Sequence, residues 1–183
     1  MENTEFLDNY EKTLEMGLLK VCEGAGLLES EVLRNDDLDE VWDRYIKDYI
    51  ADAVDNFNDY PEAAIAWAAF LGMGVAHHWD GHWTHHRHDV YSEYYGIHGW
   101  DDMDEHILHG VLGLPLDGVE AKKISDTLQN CALAALGYIH HEGIETQTAQ
   151  GFYVLARTYT VMYRIGASIE LRRMGYRKVA VNI

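Results

Sequence analysis

Between Pro61 and Ala76 the chain reads PEAAIAWAAFLGMGVA, apolar on every side after its first two residues. Small residues stand between the large ones, so the segment cannot be a surface helix with one wet face. A helix apolar around its whole circumference has to be buried on most of it. The rest of the chain must therefore supply enough amphipathic structure to wrap one central helix. Pro61, after Asp59 and Tyr60, suits a first helical position, where a missing N–H costs nothing. The central helix is predicted from Pro61 to about Trp83, with Gly72 and Gly74 allowing neighbours to come close.

The wrapping elements are legible as helices of period 3.6. A first helix over residues 3–22 places Phe6, Tyr10, Leu14, Gly17 and Val21 on one stripe, and Gly24 and Gly26 stop it. A short helical turn is expected over 30–34. A second helix over 36–58 is capped by Asn35 or Asp36, and its acidic start, DDLDE, suits the positive end of the helix dipole. Leu38, Val41, Tyr45, Tyr49, Ala53 and Phe57 form its stripe. Helical patterning continues to Tyr95, and a fourth helix spans 102–112. A fifth begins at Asp117, which forms a capping box with Glu120, and carries Ile124, Leu128, Cys131, Ala135 and Tyr138. A sixth runs from about Ala149 to Met174, and the terminal KVAVNI reads as a short strand or an irregular end. Only two prolines interrupt 183 residues, and no Pro/Gly/Ser linker appears. The expected architecture is all-α: one domain over residues 1–183, an antiparallel bundle of five or six helices around the buried central one (about 61–83).

Charge narrows the partners. Formal charge is −17. A phosphate backbone or an anionic membrane surface needs a basic face, so direct nucleic-acid and membrane binding are not expected. Residues 1–62 hold 18 acidic against 5 basic groups. In residues 157–178, Arg157, Arg164, Arg172, Arg173, Arg177 and Lys178 stand against Glu170 alone. These two regions can attract one another within a fold or between subunits, so a homo-oligomer is one expectation. Cys22 and Cys131 are too few for a disulfide framework, and Cys131 reads as a small buried hydrophobe. The acidic N-terminus does not read as a signal peptide, and no apolar run reaches membrane-spanning length, so a cytoplasmic location is expected.

Nine of the eleven histidines lie between His77 and His109. Imidazole ligates metals, moves protons and titrates near neutral pH. His78, His82 and His86 share one face if the central helix continues, and an i, i+4 pair can present two imidazoles to one ion. The stripe Ala64, Ala68, Leu71, Val75 leads into His78 and His82, which points that pair inward. On the fifth helix Glu142 and Glu145 prolong the apolar stripe, and His141 pairs with Glu145 at i, i+4. An inward carboxylate there would need a partner or an ion. The candidate ligands are therefore His78, His82, His141, Glu142 and Glu145. His85, His86 and Asp89 would orient the ligands or relay protons. Such donors suit zinc, iron or manganese. The sequence has neither the Glu-x-x-His pairs of carboxylate-bridged di-iron bundles nor HExxH, and His88–Asp89 has no supporting context. Arg157 and Arg164, a heptad apart with Tyr153 and Thr160, would either grip an anionic group or pair with the acidic second helix.

Three readings follow. In the first, the protein binds a divalent transition metal in the bundle and uses it to hydrolyse a small-molecule substrate. In the second, it is an acidic non-enzymatic module that docks on a basic protein or imitates the charge of DNA, and its His/Trp cluster is a structural polar core. In the third, the histidines charge together near pH 6 and open the structure.

Overall fold

A computed structural model describes residues 3–177. It is all-α, with helices packed against one another. The long helices are α1 (Thr4–Gly24), α2 (Asp36–Phe57), α3 (Pro61–His86), α5 (Val119–His141) and α6 (Ala149–Arg173). Between α3 and α5, two 3-10 turns (Tyr91–Tyr94 and Trp100–Asp102) precede a short α4. This begins as Met103–Glu105 and continues as a π-helix over His106–Val111. No described helix is long and apolar enough to cross a membrane.

Local chemistry sets several helix starts. The Asn3 side chain accepts from the Phe6 amide. Asn35 accepts from the amides of Asp37 and Leu38, so it is Asn35 that caps α2. Thr148 accepts from Gly151 at the start of α6. These contacts satisfy amides that have no partner inside the helix. The capping box expected at Asp117 does not form. α5 starts one residue later, with Gly118 as its cap and no side-chain bond there. The helical turn expected over 30–34 is likewise an irregular bend. The expected strand or irregular end at KVAVNI falls outside the described residues.

α3 is the central helix. Every residue from Ala64 to Ala76 except Trp67 is buried. It lies chiefly against α6, with α2 and α5 on its other sides. Two glycines make the α3–α6 approach feasible. A Cβ on Gly166 would overlap the Ala69 carbonyl, and one on Gly72 would overlap the Tyr163 carbonyl. α1 packs across α5 and α6.

The basic end of the chain meets the acidic end inside the fold. Arg157 bonds Asp8 at 2.9 Å and Glu11 at 2.6 Å. Arg164 bonds Glu11 at 2.5 Å, and its Nε lies 3.8 Å from Asp39. Arg172 and Arg177 both approach Glu29. Glu11 of α1 thus lies between the two arginines read above as either an anion grip or partners of the acidic second helix, from which Asp39 also approaches Arg164.

Candidate metal centre

The site forms where α3 leaves the core. Burial ends at Ala76. His77, His78 and Trp79 are half-buried, and Asp80, Gly81 and His82 are exposed. Directly after Gly81 the helix breaks: His82 has φ −140° and ψ 39°. Helical geometry resumes through His86, and the chain turns sharply, with the Asp89 amide donating to the His86 carbonyl. The 3-10 turn at Tyr91–Tyr94 then brings the chain back against the broken helix.

α2 holds this turn from outside. The Tyr45 hydroxyl donates to the Asp89 carbonyl at 2.5 Å, and Arg44 donates to the Arg87 carbonyl at 2.6 Å. Asp89 and Tyr94 are thereby brought against His78 and His86. Asp89 Oδ2 lies 2.6 Å from His86 Nδ1 and 4.0 Å from His78 Nδ1. The two imidazoles stack, with centroids 3.7 Å apart and planes 8° from parallel. The Tyr94 hydroxyl is 3.1 Å from His78 Nδ1, and the His85 ring stands edge-on to His86. One ligand atom from each of His78, His86 and Asp89 falls within 4.8 Å of the others, a spread that could hold a metal ion.

Electrostatics follows from this geometry. The His78 pKa is pushed down to about 4, first by burial and then by the neighbouring His86, against the opposing pull of Asp89. His77 and His106 push it the same way. His78 is therefore neutral at physiological pH, the state a ligating imidazole requires. Burial also raises the Tyr94 hydroxyl well above its usual value, so it stays protonated and able to donate.

The other residues considered from sequence lie elsewhere. The break at His82 ends the shared face of His78 and His82, and His82 faces solvent. The same break leaves His86, two turns on, stacked on His78. Glu142 and Glu145 do not turn inward. The buried stripe of α5 reaches Ile139, the helix ends at His141, and Gly143 reverses the chain with φ +65°. His141, Glu142 and Glu145 are all exposed and do not join the trio.

Three further histidines have separate partners. His98 bonds Asp102 at 2.6 Å on the surface, and His109 bonds the Leu114 carbonyl. His77 Nδ1 sits 3.4 Å from Oε1 of Glu170, a fully buried carboxylate. Arg173 donates to both oxygens of Glu170 at 3.0 Å. Two participants were not anticipated. Glu170 sits inside the apolar face of α6, and a lone acid there was the available signal. Tyr94 had no signal, because its role depends on the return of the chain after Asp89.

Compared with protein-family models, curated proteins and solved structures, the chain shows no match.

Proposed function

We propose that the protein binds one divalent transition-metal ion (zinc, iron or manganese) through His78, His86 and Asp89. The observation that supports it is the convergence of two imidazoles and one carboxylate within 4.8 Å at the broken end of a buried helix. Two histidines and a carboxylate leave coordination positions open, as catalytic sites do and closed structural sites do not. A water held in such a position is acidified enough to attack at neutral pH. Metal-dependent hydrolysis of a small-molecule substrate is the chemistry this ligand set fits.

Binding carries a geometric requirement. Two ligand atoms on one ion with bonds of ~2.1 Å sit roughly 3.0–3.4 Å apart. The Asp89–His86 contact at 2.6 Å is shorter than that, and Asp89–His78 at 4.0 Å is longer. Stacked imidazoles also keep their lone pairs in parallel planes, so one ion cannot lie in both. Loading the site must turn one ring out of the stack. His86 is the ring that turns, because it lies beyond the break in α3.

Zinc titration of tag-free protein, followed by elemental analysis, tests the proposal. One equivalent that is lost on chelation, and lost in His86→Ala, supports it. Hydrolysis of a chromogenic phosphate or ester that follows metal content would extend it to catalysis.

A second reading is favoured by a specific feature. The trio and Tyr94 already satisfy one another without an ion, as a structural polar core would. On that reading the exposed carboxylates of α2 (Asp36, Asp37, Glu40, Asp43 and Asp48) dock on a basic protein. Binding of a basic polypeptide would then weaken steeply with salt and survive His86→Ala.

A further inference from the structure

Cys22 lies in the last turns of α1 and Cys131 in the middle of α5, 109 positions apart in sequence. Both are completely buried. Their sulfur atoms are 3.7 Å apart, in van der Waals contact. The surrounding interface is close: the Tyr138 ring of α5 covers Gly17 of α1 so tightly that a Cβ there would overlap it. Gly17 with Tyr138 and Cys22 with Cys131 are two contacts of one antiparallel helix pair. A disulfide needs sulfurs at about 2.05 Å.

We propose that Cys22 and Cys131 are a covalent modification site, a dithiol that closes to an intramolecular disulfide and ties α1 to α5. The oxidant is a low-molecular-weight disulfide. Cys22 reacts first, because helix ends open locally at low cost and α1 ends two residues later. Its thiolate, formed by loss of a proton to solvent, attacks one sulfur of the oxidant and expels one thiolate, leaving a mixed disulfide. The Cys131 thiol then loses its proton, attacks the Cys22 sulfur and expels the second thiolate. The protein pair gives up two electrons and the oxidant becomes two thiols. In the closed fold, contact with Cys22 and burial push the Cys131 thiol far up. The reaction therefore waits for α1 to open rather than proceeding in the intact interface.

The consequence is mechanical. α1 carries Glu11, which engages Arg157 and Arg164 of α6. A bond between α1 and α5 closes a loop of over a hundred residues and restricts the chain most when it is unfolded.

The test equilibrates the full chain with reduced and oxidised glutathione. One sample contains denaturant below the unfolding midpoint, so that α1 opens and recloses, and the other contains denaturant above it. Thiol counts and intact mass give the disulfide fraction. The expected result is an intramolecular disulfide whose effective concentration is at least about 100-fold higher under folding than under unfolding conditions. The oxidised protein should also melt about 10 °C higher than the reduced one. Cys22→Ala and Cys131→Ala should each stop at the glutathione adduct. Equal effective concentrations in the two samples, a wild-type reaction that stops at the adduct, or a lower melting temperature on oxidation overturns the proposal.

Discussion

His78 is where burial and charge meet in this protein. Its imidazole stacks on His86 and meets the Tyr94 hydroxyl at Nδ1, with His77, His106 and Asp89 also acting on it. Unfolded, a histidine titrates near 6.5, whereas folded His78 titrates near 4. Between those values the unfolded chain binds more protons, so stability is lost as the pH falls from about 6.5 towards 4. Metal-free protein is expected to lose about 1 kcal/mol more between pH 7 and 5 than His78→Gln does, after allowance for partial exposure. Urea melts at the two pH values measure this, and parallel losses in the two proteins would refute the assignment. The residues of this site were only partly legible in the sequence. The apolar stripe points both His78 and His82 inward, whereas only His78 is half-buried beside His86 and Asp89 and His82 is exposed. The sequence pairs His82 with His78 and leaves His86 outside, but a break of one residue after Gly81 stacks His86 on His78 instead.

At the scale of elements, the α3–α6 contact organises the rest. Gly72 and Gly166 let the two backbones meet, each against a carbonyl of the other helix. Gly166→Ala is expected to cost about 1–3 kcal/mol, because backbone cannot move aside as a side chain can. Gly137 of α5 has open space where its Cβ would go, and Gly137→Ala is expected to add about 0.5–1 kcal/mol. Thermal melts of the pair check both, and equal effects would show that the close approach is not limiting. Helix positions were legible because the 3.6-residue stripes are strong and the start signals, the Asn35 cap and Pro61 at a first helical position, are local. α4 was less so: His106–Val111 is wound as a π-helix where the sequence suggested an ordinary one. The end of α5 was misread for a similar reason. Its stripe reads on in the sequence through Glu142 and Glu145, but the turn at Gly143 puts those carboxylates in solvent.

For the whole molecule, two electrostatic effects of opposite sign compete. A net charge of −17 makes the folded state repel itself, and salt relieves that repulsion. The bridges from Arg157, Arg164, Arg172 and Arg177 to the acidic N-terminal half are attractive, and salt weakens them. These bridges are partly exposed, and such pairs contribute little each, so repulsion is expected to win. Raising ionic strength from about 0.01 to 0.15 M, which shortens the screening length from roughly 30 to 8 Å, should raise the melting temperature by a few degrees. A fall would mean that the inter-helix bridges dominate. The attraction between the two ends of the chain was readable from charge counts alone. That Glu11 would join both arginines was not, because it depends on how α1 crosses α6.

The central claim is that one ion joins His78, His86 and Asp89. Its most direct test is the zinc content of protein purified without a metal-affinity tag, titrated with zinc and then freed of excess. The expected result is close to one equivalent in the wild type and less than about a tenth in His86→Ala and Asp89→Ala, with unchanged binding in His82→Ala and Glu142→Ala, whose side chains lie away from the trio. Wild-type protein that retains no zinc, or equal retention in His86→Ala, would contradict it and leave the stacked histidines as a polar core.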